Sequence, residues 1–208
     1  MSQIILNALK NNSQSVTWLV SGGSCIPVAV RTRELLGEMD DLKRLSIVMM
    51  DERYGEIGHE ASNSFQLKKA GFDLNGLVYH EILCDESVES TTERFVDMLE
   101  RLRHTSDVII GLFGMGEDGH TAGLLPKNPL MSMNVVAGYF VGPDYERITA
   151  APAFLKSIDT AVLYAAGENK WPALAKLQQP GSLDELPVRL LRNIEDVKIY
   201  SDIEIGKE

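Results

Sequence analysis

The hydrophobic positions of this chain fall in short runs separated by helical patterns. Val16 to Val20 reads as a strand and ends in Ser21-Gly22-Gly23-Ser24. Pro27 then falls in the first turn of a helix that runs to about Leu36, with Val28, Ala29, Leu35 and Leu36 as its apolar face. Leu45 to Met50 predicts a second strand, followed at once by a charged loop, Asp51-Glu52-Arg53. Ser62 is placed to cap a helix that reaches Ala70 and is stopped by Gly71. Leu77 to Ile82 is a short strand. Ser90 with Glu93 forms a capping box for a helix to about Arg103, with Phe95, Met98, Leu99 and Leu102 along one face. Val108 to Phe113 is uniformly apolar, as a central parallel strand should be. Asn134 to Val141, Thr160 to Ala165 and Val197 to Tyr200 read as further strands. Ala151 to Ser157, Lys170 to Leu177 and Leu186 to Arg192 read as helices.

Strands alternating with helices imply an α/β fold: a single-domain, Rossmann-like three-layer sandwich over residues 1–208, with a mainly parallel sheet and helices on both faces. The sequence has no internal repeat, low-complexity tract or linker that would divide it. In open parallel sheets, ligands bind beyond the carboxyl ends of the strands. That rule selects the loops after Val20, Met50 and Phe113.

Charge narrows the partner. The 208 residues carry 20 Lys and Arg against 30 Asp and Glu, a formal charge of −10. Binding to a nucleic-acid backbone needs a surplus of basic residues, so nucleic acid is not an expected partner. A small anion remains possible, because a few basic side chains and backbone N–H groups can hold one phosphate inside an acidic protein. Met1 to Lys10 has neither the basic nor the apolar region of a signal peptide, and no apolar run approaches the ~20 residues of a membrane span. A cytoplasmic protein with no membrane partner is expected. Cys25 and Cys84 are too few for a disulfide framework and are expected to be free and inert.

Each selected loop carries chemistry. In Ser21-Gly22-Gly23-Ser24, glycine lets the backbone approach an anion, and the following helix aims its free N–H groups at the same point. The alternative is a turn without a ligand. Asp51-Glu52-Arg53 reads alone as a solvated loop, yet it stands at the ligand-facing edge of the sheet. Gly114, Gly116 and Gly119 form a nominal G-x-G-x-x-G, but Pro126 cuts off the long helix that a dinucleotide fingerprint should open. These glycines are better read as shaping a loop that presents Asp118 and His120. A histidine beyond a central strand is placed for acid–base work near neutral pH, although a lone histidine can equally be structural. Asp51, Asp118 and His120 have no diagnostic metal-ligand spacing, so no metal is expected.

Taken together, the chain resembles the 6-phosphogluconolactonase family, within the superfamily that includes glucosamine-6-phosphate isomerase/deaminase. The resemblance rests on Ser21-Gly22-Gly23-Ser24, on Asp51-Glu52-Arg53 with Ser62-Asn63, and on Gly114-x-Gly116-x-Asp118-Gly119-His120-Thr121-Ala122 ending in Leu125-Pro126. Arg147-Ile148-Thr149 and Gly167-x-x-Lys170 complete it, in order. The resemblance implies hydrolysis of 6-phosphogluconolactone in the oxidative pentose phosphate route, without a cofactor. It implies His120 as general base toward water, with Asp51 or Asp118 orienting water or the histidine. It assigns the oxyanion to backbone N–H groups or Arg53, and the phosphate to Gly22, Gly23, Ser24, Arg147 and Lys170. A sugar phosphate is the implied partner, and the chain a monomer or small homo-oligomer.

Two alternatives remain. The isomerase/deaminase branch places a glutamate just before the motif's proline, where this chain has Leu125; a displaced Glu117 or Glu52 would have to replace it. A non-catalytic sugar-phosphate sensor would keep the phosphate contacts, but the chain shows no helix-turn-helix segment.

Overall fold

A computed structural model describes residues 1–10 and 14–203. In chain order the elements are α1 (Ser2–Leu9), β1 (Val16–Val20), α2 (Cys25–Leu36), β2 (Leu45–Met49), β3 (Asp51–Arg53), α3 (Asn63–Lys69), β4 (Val78–His80), α4 (Val88–Thr105) and β5 (Val108–Gly114). They continue with β6 (Ala137–Val141), β7 (Glu146–Ala150), α5 (Pro152–Leu155), β8 (Thr160–Ala165), α6 (Trp171–Gln178) and β9 (Asp196–Ser201). Single 3₁₀ segments lie at Asp40–Arg44, Pro129–Met131, Glu168–Lys170 and Pro187–Asn193.

Six strands form one sheet in the order β4-β2-β1-β5-β8-β9, and every pairing in it is parallel. Successive strand residues point to opposite faces. All five residues of β1 are buried, so both faces of the sheet are covered there. Trp18 of this strand packs against Phe72, which follows α3, with ring centroids 6.0 Å apart, within the range of favourable aromatic pairs. The chain lays down β1, β2 and β4 outward in one direction, then returns to place β5, β8 and β9 in the other. The order therefore reverses between β1 and β5, the crevice where such sheets bind ligands. Among the described residues no helix is long and apolar enough to cross a membrane.

A second sheet was not expected. β3, β7 and β6 form a three-stranded antiparallel sheet in the order β3-β7-β6. Asp51-Glu52-Arg53 is thus a strand, not a solvated loop, and Asp51 and Glu52 are buried. β7 escapes the hydrophobic pattern because Arg147 and Thr149 are buried alongside Ile148, and buried arginine is rare.

Pro27 falls in the first turn of α2, which begins at Cys25. Other differences are local. Leu35 is 54% exposed, while Thr32 and Arg33 occupy the inner face. Arg33 is satisfied there by Asp73 and by the Asp73, Gly37 and Asn75 carbonyls. Residues Pro187–Asn193 wind as 3₁₀ rather than α-helix. The N-cap of α4 is Ser87, whose Oγ accepts from the Ser90 N–H at 3.3 Å. Ser90 lies within the helix, three residues later than a cap should stand. Replacing Ser87 by alanine should therefore cost about 1 kcal/mol in urea unfolding. Replacing Ser90 should cost less than about 0.5 kcal/mol, and the reverse order would restore Ser90 as the cap.

Candidate functional site

The switch point is lined from three sides. The loop after β1 supplies Ser21 to Ser24 and leads into α2. Ser21 N–H bonds the Leu112 carbonyl of β5 at 3.0 Å, which ties the start of this loop to the neighbouring strand. The Gly22 and Gly23 carbonyls accept from Cys25 and Ile26, closing the first turn of α2. Among the described residues no carbonyl takes the N–H groups of Gly22, Gly23 and Ser24. They remain as donors at the positive end of a helix dipole. Gly22 has no room for a side chain, because a Cβ there would collide with the Asn63 amide.

The loop after β5 supplies the histidine. Gly116 N–H bonds the His120 carbonyl at 2.9 Å, and Thr121 Oγ1 donates to the Gly114 carbonyl at 2.6 Å. The loop is thereby closed on itself, and no helix opens after Gly119 as a dinucleotide site would require. Gly116 is glycine for a visible reason: a Cβ would enter the His120 ring. Asp118 Oδ1 accepts from the His120 N–H at 3.0 Å and lies 2.7 Å from His120 Nδ1. An ionised carboxylate only accepts, so Nδ1 carries a proton, and in the neutral imidazole Nε2 then presents its lone pair. The carboxylate that orients the ring is therefore that of Asp118.

The small sheet supplies the third wall. Arg53 and Arg147 are direct cross-strand partners in β3 and β7. Like charges in that position repel. Both guanidinium groups lie over the Tyr145 ring, at 5.4 and 5.5 Å from its centroid, within cation–π range. Arg53 also donates to the Ala61 carbonyl at 2.7 Å, and its buried Nε has no partner among the described residues. Asp51 stands beside them. Burial pushes its carboxyl above the usual carboxylate range, and Arg53, Arg147 and His120 partly offset the rise.

Across the site, Lys170 Nζ lies 3.3 Å from Ser24 Oγ. The structure thus brings all nine sequence-selected residues to one cavity of about 630 Å³: Gly22, Gly23, Ser24, Asp51, Arg53, Asp118, His120, Arg147 and Lys170. Leu125 is also in its wall. Among the described residues no three His, Cys, Asp or Glu side chains group as metal ligands.

Glu52 is taken out of the reacting set. Its carboxylate accepts from the N–H groups of Arg53, Asn63 and Ser64 at 2.8, 2.6 and 2.9 Å, and from Ser62 Oγ at 3.1 Å. Two of these are the first N–H groups of α3, so Glu52 caps that helix together with Ser62. Burial raises its pKa, with the backbone N–H bonds opposing the rise. Asn63 was not among the candidate residues, although it stood in the matched Ser62-Asn63 pair. It lines the cavity, and its Nδ2 donates to the Asp51 carbonyl at 2.9 Å. Tyr145 carried no sequence signal; only the hairpin between β6 and β7 brings it under the arginines.

One family model spans residues 1–199: glucosamine-6-phosphate isomerases/6-phosphogluconolactonase. The chain belongs to this family. A 6-phosphogluconolactonase of Helicobacter pylori (strain J99) is 26% identical over 166 residues, covering 77% of this chain and 71% of that protein. The crystal structure of a 6-phosphogluconolactonase from Thermotoga maritima superposes with a TM-score of 0.79 at 17% identity, covering 96% of this chain and 92% of the other. A monomeric glucosamine-6-phosphate deaminase superposes with a TM-score of 0.75 at 16% identity, covering 96% and 90%. Both branches of the family therefore share this fold, and only side chains can separate them.

Cys25 lies against Gly114 beneath the cavity and is a free thiol, as is Cys84. Burial pushes Cys25 up to about 12, despite the field of Lys170. At pH 8, iodoacetamide should label half-buried Cys84 in the native protein and leave Cys25 unmodified, as read by peptide mass mapping. Comparable labelling of Cys25 would contradict its burial.

Proposed function

We propose that this chain hydrolyses 6-phosphogluconolactone to 6-phosphogluconate, as a cytoplasmic enzyme of the oxidative pentose phosphate route. The observation that carries this reading is the Asp118–His120 pair, 2.7 Å apart, with Nε2 left free in a cavity walled by cations. His120 Nε2 takes a proton from water, and the water oxygen adds to the lactone carbonyl. Asp118 stabilises the imidazolium that forms. Negative charge gathers on the carbonyl oxygen and is met by Arg53 in the cavity wall. The tetrahedral adduct collapses, the ring oxygen leaves, and the imidazolium returns the proton to it. Asp51 sits close enough to influence both arginines and His120, and its part is to orient water.

Phosphate binding is assigned to Gly22, Gly23 and Ser24 through their N–H groups, with Arg147 and Lys170 as cations. Arginine suits this task through its planar fork, and lysine as a point charge. The chemistry needs one base toward water and no group beside the sugar's second carbon. That favours the lactonase over the deaminase, because Leu125 cannot act as a base and Glu52 is enclosed by four donors. Glu117 is exposed at the cavity wall and accepts from Asn169 Nδ2 at 2.5 Å.

Purified protein should accelerate hydrolysis of 6-phosphogluconolactone above the spontaneous rate, followed by proton release. His120→Ala should lower kcat by about 10² to 10⁴. Wild-type turnover equal to background would overturn the lactonase reading, and ammonia release from glucosamine 6-phosphate would favour the deaminase. Arg147→Ala and Lys170→Ala should each raise KM about tenfold or more, as expected for a lost charged contact. An unchanged KM in both would remove them from the phosphate site.

A further inference from the structure

The segment Gly167 to Trp171 joins β8 to α6 and contributes Asn169 and Lys170 to the cavity wall. It is held on both banks. On the cavity side, Lys170 Nζ reaches Ser24 Oγ at 3.3 Å and Asn169 Nδ2 reaches Glu117 Oε1 at 2.5 Å. On the other side a single carboxylate holds both of its ends. Asp202 Oδ2 accepts the Gly167 N–H at 2.8 Å, and Oδ1 accepts the Trp171 indole N–H at 3.1 Å. This grip follows from topology. β9 pairs with β8 in parallel up to Ala165 opposite Ser201, so the residue after β9 emerges beside the turn that follows β8. Asp202 also lies beyond the residues that the family model matches, 1–199.

We propose that Asp202 is a positioning residue for Lys170, holding the Gly167–Trp171 segment as a strap that aims the ammonium at the anion loop. The proposal rests on the reading of Lys170 as a phosphate ligand. The strap's ends are four residues apart in sequence and face one carboxylate, so the turn between them has little freedom. The donors that hold Asp202 also keep its carboxyl below the usual range, which maintains it as an acceptor for both N–H groups. Asparagine cannot replace it, because one carboxylate oxygen becomes an NH₂ group facing a donor. Asp202 does not reach the reacting atoms, so its influence should appear in substrate binding and not in the chemical step.

The test is steady-state hydrolysis of 6-phosphogluconolactone by the full chain carrying Asp202→Asn, Trp171→Phe, Lys170→Ala, or Asp202→Asn with Lys170→Ala. Asp202→Asn should raise KM about fivefold, the exposed position reducing the effect of a charged hydrogen bond, and leave kcat within about twofold. In the Lys170→Ala background the same change should add nothing, since coupled residues are not additive. Trp171→Phe keeps an aromatic ring and deletes the indole N–H tether, so it should raise KM about twofold and serves as the test should Asp202→Asn not fold. An unchanged KM in both single tether variants would overturn the proposal. So would an equal rise in KM with and without Lys170, which would mark Asp202 as a general structural residue. A Lys170→Ala variant with unchanged KM would instead overturn the phosphate reading, and the positioning role with it.

Discussion

The whole site hangs on how the backbone turns at Met50. Its N–H bonds the Val20 carbonyl at 2.8 Å, continuing the large sheet, and its own carbonyl accepts from Ala150 at 2.9 Å, beginning the small one. One residue thus belongs to both sheets. The strand that would have ended in open solvent is handed to β7, and Asp51 and Arg53 are delivered to the crevice between β1 and β5. Without that transfer the crevice would have an anion loop and a histidine but no third wall. Met50 is fully buried, so this junction is also protected from water that would compete for its hydrogen bonds.

The transfer creates an electrostatic problem that the same region solves. Two arginines are placed opposite each other, one of them largely buried, in a protein whose formal charge is −10. Tyr145 and Asp51 compensate them in part, and an anionic ligand would complete the balance. The acidity of the chain belongs to its remaining surface. Glu52 illustrates how closely the carboxylates are sorted. It is next in sequence to Asp51, yet its side chain faces three donors at the start of α3, and the Arg53 N–H, while that of Asp51 faces the cavity. Alternation along a strand separates them: adjacent residues point to opposite sides, one to structure and one to the site.

Much of this was legible in the residues. The parallel strands announced themselves through uninterrupted apolar runs, and the ligand-facing ends of β1 and β5 followed from the order of the elements. The three selected segments do converge on one cavity. The small sheet was hidden because two of its three strands carry charge: Asp51-Glu52-Arg53 and Glu146-Arg147 look like solvent loops until their pairing is known. The choice between Asp51 and Asp118 as partner of His120 could not be read from spacing, since it depends on how the loop after β5 folds back on Gly116. The capping serine of α4 was misplaced by three residues because Ser87 and Ser90 offer similar local signals, and only helix geometry decides between them. Asn63 stood in a matched pair without a visible task, because its contacts lie with Asp51 and Gly22, which are distant in sequence.

That contact between Asn63 and Gly22 has an evolutionary corollary. The amide occupies the space that any side chain at position 22 would need, so the two positions are not free to vary independently. A relative that carries alanine or serine at the equivalent of Gly22 needs a smaller or turned-away side chain at the equivalent of Asn63, or a displaced α3. The pair should therefore appear as covariation across the family, and a lineage that breaks it would be expected to have rebuilt its anion loop.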